Sequence, residues 1–172
     1  MGQSFVNECN PHPSPEEFSA CLDETTALLD KCGVDYSLAD GTLLGQYRDG
    51  APLRWDRTVD LYHRQADREQ LRQCLIQAKV PFAASFLDSQ LQFCCPSNGV
   101  QVDMTGVVPS LSNKYSCALD QSNEFETSDL LPFADQLPAD PEAVLNARYG
   151  KNAWKTATDD GHPGAGCWRI GF

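Results

Sequence analysis

Between residues 14 and 33 the apolar positions recur at helical spacing, with Phe18, Cys21, Leu22, Thr25, Leu28, Leu29 and Cys32 on one face. Ser14-Pro15-Glu16-Glu17 ahead of them reads as a helix start, with Ser at the N-cap, Pro in the first turn and Glu three residues after Ser. Gly33 closes that helix. Val34, Tyr36 and Leu38 then alternate as a short strand, and Leu43, Leu44 and Tyr47 after Gly41-Thr42 suggest a short helix. Asp49-Gly50-Ala51-Pro52 is a turn. It leads into a strand over 55–62 that would place Asp56, Thr58, Asp60 and Tyr62 on one face and Val59 and Leu61 on the other.

A second capping pattern, Asp67-Arg68-Glu69-Gln70, precedes an apolar face of Leu71, Cys74, Leu75 and Ala78. Segments 80–84, 91–95 and 100–104 read as strands, and the turn Pro96-Ser97-Asn98-Gly99 makes a hairpin of the last two. On the second hairpin strand Val100, Val102 and Met104 share a face, while Gln101 and Asp103 point the other way. Residues 109–133 are rich in Ser and Asn without a period and read as loops. Asp140-Pro141-Glu142 starts a helix carrying Ala143, Val144 and Ala147, which Gly150 stops. Residues 1–13 are expected to form a loosely held lead-in, 14–160 the domain, and 161–172 an unassigned tail.

Composition narrows the function classes. A chain of 172 residues suits one domain with a real core. The 24 acidic residues outnumber the 13 basic ones, a formal charge of −11, so the surface repels nucleic-acid backbone and anionic membrane. No run is long and apolar enough to span a membrane, and residues 1–12 lack the basic and apolar regions of a signal peptide. Val6 stands where a myristoylation pattern after Met1-Gly2 wants Ser or Thr. The compartment stays open: Golgi or secretory lumen if a leader has been removed, cytoplasm otherwise.

The cysteines are eight and include no CxxC pair or zinc-spaced Cys/His cluster. Their even number permits disulfides in an oxidising compartment, and on that count alone a disulfide-stabilised interaction module. Cys21, Cys32 and Cys74 lie on apolar helix faces, where a reduced buried thiol is the simpler reading. His12, His63 and His162 show no catalytic partner at a readable spacing and read as surface residues, His63 being a weak substrate-side candidate.

The chemistry concentrates in Ser37 to Leu61, where a Gly-Thr step, an arginine and two spaced aspartates fall together. Carboxylates aligned on one face repel unless solvated, paired or bound to a cation, which suggests a Mg²⁺ site facing a phosphate. Gly41-Thr42-Leu43-Leu44-Gly45-Gln46-Tyr47-Arg48, then Arg54-Trp55-Asp56-Arg57-Thr58-Val59-Asp60-Leu61, resembles the motif of the LicD/fukutin family, with two departures. Arg54 replaces the usual Pro before Trp, and Thr58 replaces the middle aspartate, an expected metal ligand. Pro138, Pro141, Leu145, Tyr149, Gly150 and Trp154 match a later segment of the same family, with Val144 at its usual aromatic position.

This resemblance implies an α+β, nucleotidyltransferase-like fold: a small mixed β-sheet flanked by helices, with carboxylates on adjacent strands. It implies Mg²⁺ as cofactor, a CDP-linked donor and a glycan acceptor, the phospho-alcohol (phosphocholine or ribitol phosphate) moving between them. By the same resemblance Asp60, Asp103 and Asp56 are the catalytic and metal-holding residues, and Gly41, Thr42 and Arg48 bind the donor. For Arg48 a structural ion pair with a nearby carboxylate is an equal alternative. The loss of an aspartate at Thr58 keeps open a catalytically degenerate relative that binds without turnover.

Overall fold

A computed structural model describes residues 8–84, 90–109, 114–117, 124–126, 137–149 and 151–156. Helix α1 (Pro15–Cys32) starts with the full capping box, the Ser14 hydroxyl accepting from the Glu17 amide and the Glu17 carboxylate from the Ser14 amide. It ends on Gly33 at φ 65°, a left-handed cap that glycine adopts without penalty. Strand β1 (Tyr36–Leu38) leads to a short helix α2 (Asp40–Leu44), which widens into a π-helical turn (Gly45–Asp49). Strand β2 (Thr58–Arg64), helix α3 (Arg68–Gln77) and strands β3 (Phe82–Ala84), β4 (Gln90–Cys94) and β5 (Gln101–Pro109) follow. The region expected to be all loop holds two short strands, β6 (Lys114–Cys117) and β7 (Glu124–Glu126). The pairing of β6 with β5 and of β7 with β6 supplies what local pattern did not. Helix α4 (Pro141–Tyr149) begins where Asp140 accepts the Ala143 amide, while the expected stop at Gly150 lies outside the described residues.

The sheet runs β1-β2-β5-β4-β3, with β6 continuing from β5 and β7 from β6. Among the described strands β2 and β5 pair in parallel and the other pairings are antiparallel. The register sets Val59 beside Val102, Leu61 beside Met104, and Leu91 and Phe93 opposite Met104 and Val102. That face closes on α1 and α3, whose Phe18, Leu22, Leu29, Leu71 and Leu75 join the core. Each such side chain contributes roughly 1.5–3 kcal/mol by leaving water. The other face carries Asp60, Tyr62, Gln92, Gln101 and Asp103 toward α2 and α4.

Several expectations change. The strand expected over 55–62 begins only at Thr58, because a turn through Arg54 and Trp55 closes from the Asp56 amide onto the Leu53 carbonyl at 3.1 Å. Asp56 therefore lies before the strand. Asp67 does not cap α3 with its side chain; it pairs with Arg64 at 2.7 Å. Cys21, Cys32 and Cys74 are not reduced thiols: disulfides join Cys9–Cys94, Cys21–Cys95 and Cys32–Cys74. The lead-in is correspondingly held at residues 8–13, where the Asn10 amide also donates to the Gly99 carbonyl at 2.7 Å. No helix among the described residues is long and apolar enough to cross a membrane.

The bridges close loops of 85, 74 and 42 residues, which removes much of the unfolded chain's freedom. With six of eight cysteines paired, thiol titration of the denatured, unreduced protein should find no more than two free thiols. Replacing Cys32 and Cys74 together by Ala should lower the melting midpoint by about 5–10 °C in calorimetry.

Candidate functional site

Asp60 and Asp103 are Cα partners across the parallel β2–β5 pair, so their side chains stand on the same sheet face, and both are buried. The Asp60 backbone is laced to the turn after β1. Its amide donates to the Thr42 hydroxyl at 2.9 Å, and its carbonyl accepts from the Ala39 amide at 2.9 Å. Thr42 donates onward to the Thr58 carbonyl at 3.4 Å. The Thr58 hydroxyl donates to Asp60 Oδ2 at 3.1 Å, so the residue standing in for an acid hydrogen-bonds the acid beside it. Two amides, Gln92 at 3.1 Å and Gln101 at 2.9 Å, donate to Asp103 Oδ1.

Asp56 reaches the same region from the turn. One of its oxygens, Oδ2, is buried without a hydrogen-bond partner. A Cβ at position 41 would lie 2.6 Å from that oxygen, so Gly41 is glycine because a carboxylate occupies the space a side chain would need. Arg48 forms the ion pair left open as its alternative. Its guanidinium grips Asp49 at 2.7 and 2.9 Å and donates to the Trp154 carbonyl at 2.9 Å, while the adjacent Tyr47 ring packs 5.9 Å from Trp154.

Two residues of this site were not legible in advance. Asp40, immediately before the Gly-Thr step, is buried at φ 46°, and its carboxylate pairs with the buried Arg148 of α4. The Tyr62 hydroxyl also donates to it at 3.4 Å. The available signals were slight: an Asp before Gly tolerates the left-handed region, and Arg148 falls one turn beyond Val144 on an apolar stripe.

Electrostatically the four aspartates act on one another. Burial above all, then Asp56, Asp103 and Asp40, pushes Asp60 well above the usual carboxylate range against its bond from Thr58. Burial lifts Asp56 to about 7 against the amides of Thr58 and Arg57, with Asp40 and Asp103 adding repulsion. Burial lifts Asp103 to about 6 against the two glutamines. Arg148 is itself opposed by burial, yet Asp40, Tyr62 and Tyr149 hold its charge more firmly than usual. His63 is not a surface residue. It points with Val59 and Leu61 into the core, where burial lowers it to about 4, Asp67 opposing and Arg68 assisting.

These hard oxygen donors have the chemistry of a Mg²⁺ site. Among the described residues no three His, Cys, Asp or Glu side chains converge closely enough to hold a metal ion by themselves. Mg²⁺ is held through one or two carboxylates with substrate phosphates and water completing its shell, so carboxylates such as Asp60 and Asp103 are of the right donor type.

A mixed sheet with acids on adjoining strands, backed by helices, is a nucleotidyltransferase fold. The solution structure of the antibiotic-resistance factor ANT(2'')-Ia is similar, with a TM-score of 0.54 at 12% identity over 81% of this chain and 74% of that one. The lincomycin-bound lincosamide antibiotic adenylyltransferase LnuA is similar at a TM-score of 0.50 and 13% identity, over 64% of this chain and 70% of that one. Residues 33–137 match the LicD/FKTN/FKRP nucleotidyltransferase domain, and the chain belongs to that family. No curated protein matches it by sequence. Family and fold together support a transferase-type function.

Two tests follow from the geometry. Gly41→Ala should displace Asp56 and destabilise the protein by roughly 1–3 kcal/mol, read by chemical denaturation. The second concerns pH. Asp56 and Asp103 keep protons in the folded state that the unfolded chain, at the ordinary 3.8, has already released. Their contribution is therefore complete below about pH 4 and is lost as pH rises through about 6–7. His63 has the opposite sign, because its folded value lies below 6.5, so the acids are read by difference. Asp103→Asn should gain several degrees of melting midpoint on the native protein between about pH 5 and pH 8 without added metal.

Proposed function

We propose that the protein is a Mg²⁺-dependent transferase that moves a phospho-alcohol, of the phosphocholine or ribitol-phosphate type, from a CDP-linked donor to a glycan hydroxyl. The observation that supports it most is the in-register pair Asp60 and Asp103, beside the partnerless Asp56 oxygen and the Gly41-Thr42 turn. In this reading Asp60 and Asp103 supply ligand oxygens, and Asp56 makes good part of the ligand absent at Thr58. When bound, the cation offsets the charge that builds on the transferring phosphoryl group.

The chain's own residues set the geometry. Thr42 spends its hydroxyl on Asp60 and Thr58, so its part is to position Asp60, and the Gly41 backbone is what a donor phosphate approaches. The glycan oxygen bonds to the alcohol-bearing phosphorus, the anhydride P–O bond breaks, CMP leaves with that electron pair, and the hydroxyl proton goes to water. With its fork on Asp49 and the Trp154 carbonyl, Arg48 fixes the π-helical turn against Trp154, which makes its part structural. The three disulfides suit an oxidising compartment such as the secretory lumen.

A second reading has its own support: by the family resemblance Thr58 occupies an acid position, and the positively charged Arg57 stands beside it. It makes the protein a nucleotide- or partner-binding relative without turnover. Calorimetry with CDP-choline and CDP-ribitol in the presence of Mg²⁺, followed by CMP detection, separates the two. Binding with CMP release is the expected result, and Asp60→Asn or Asp103→Asn should weaken binding at least about tenfold. Binding without CMP, together with metal affinity gained only in Thr58→Asp, would establish the second reading. No heat with either donor would count against both.

A further inference from the structure

The turn at residues 39–42 holds Asp60 by both backbone groups, through Ala39 on one side and Thr42 on the other. At its centre Asp40 takes φ 46°, in the left-handed region, which aspartate enters more readily than most residues with a Cβ but still at some cost in strain. The group that holds its carboxylate comes from far along the chain. Arg148, 108 residues later on α4, forms an ion pair with the Asp40 carboxylate, and both side chains are almost fully buried, at 3% and 7% exposure. The Tyr62 hydroxyl braces the same carboxylate from the sheet. Arg148 also lies beyond the residues 33–137 that carry the family match.

We infer that Arg148 is a positioning residue for the carboxylate site: by clamping Asp40 in its left-handed conformation it fixes the 39–42 turn, and through that turn the backbone of Asp60. The helix that carries none of the candidate ligands thereby controls where one of them stands. A guanidinium is suited to this because its planar fork holds a carboxylate in orientation as well as in place, which an ammonium does not. The backbone part of the inference is independent of any ligand; its consequence for binding rests on the proposed transferase reading.

Amide hydrogen exchange and calorimetry with Mg²⁺ and CDP, on the same variants, test the two parts separately. Arg148→Gln should speed exchange of the Ala39 and Asp60 amides at least about tenfold while leaving Phe93 and Val102 in the β4–β5 pairing unchanged. It should weaken Mg²⁺–CDP binding by a similar factor. Asp40→Gly combined with Arg148→Gln should restore both, because glycine takes the left-handed conformation unaided and no buried charge is left over. Should Arg148→Gln fail to fold, Arg148→Lys keeps the charge and should show the same local exchange with a smaller rise. Unchanged Ala39 and Asp60 exchange in a folded Arg148 variant overturns the inference. So does a double variant that stays impaired, since Arg148 would then act by some route other than Asp40. A native protein that fails to bind Mg²⁺–CDP, with exchange responding as described, sinks the transferase reading and leaves the clamp standing.

Discussion

Two buried carboxylates side by side across the β2–β5 pairing set the terms for the rest of the molecule. Neighbouring strands stand only about 4.8 Å apart, and at that range like charges away from water repel strongly. The register that aligns Asp60 with Asp103 is the same one that buries Val59, Leu61, Val102 and Met104 on the reverse face. A slip by one residue would turn acids into the core and aliphatics into the site. The hydrophobic effect therefore enforces an arrangement that electrostatics alone would reject, and the acids keep their protons to higher pH than usual.

What surrounds the pair lessens the penalty without removing it. Asp103 receives two glutamine amides, Asp60 a threonine hydroxyl, and Asp56 two backbone amides. Asp40 alone is given a guanidinium. The division separates a charge that the fold neutralises from three that it leaves to a proton or a cation. The opposite face is apolar apart from the buried His63, and there the chain is reinforced covalently: α1 is bonded to the end of β4 through Cys21–Cys95 and to α3 through Cys32–Cys74. A rigid half supports a strained half.

Legibility in the sequence followed the range of the interactions. The capping box at Ser14, the Gly33 stop and the β4–β5 hairpin are written in neighbouring residues, and each formed where the pattern put it. The family likeness in residues 41–61 was equally local, and it carried the fold class with it. Asp56 was misplaced onto the strand because alternation continues through Arg54 and Trp55 in sequence, whereas the chain turns there in space. Strands β6 and β7 escaped notice because their pairing, not their composition, makes them strands. The cysteine pairs span 42 to 85 residues and the Asp40–Arg148 pair 108, separations over which no periodicity carries information. His63 looked like a surface residue because it closes a strand in sequence, yet its register beside Gly106 seats it in the core.

Thr58 gains meaning in this setting. An aspartate there would add a further charge to a group in which Asp60 already feels three others. Threonine removes that repulsion and replaces it with a hydrogen bond to Asp60 Oδ2, so the substitution relieves the folded protein in the absence of a cation. The Asp56 carboxylate fits where it does because Gly41 leaves room for it, and Gly41 follows Asp40, whose backbone lies in the left-handed region. The acid run is thus better understood with its turn than alone: a threonine relieves charge at one position, and a glycine beside a left-handed residue makes room for Asp56 at another.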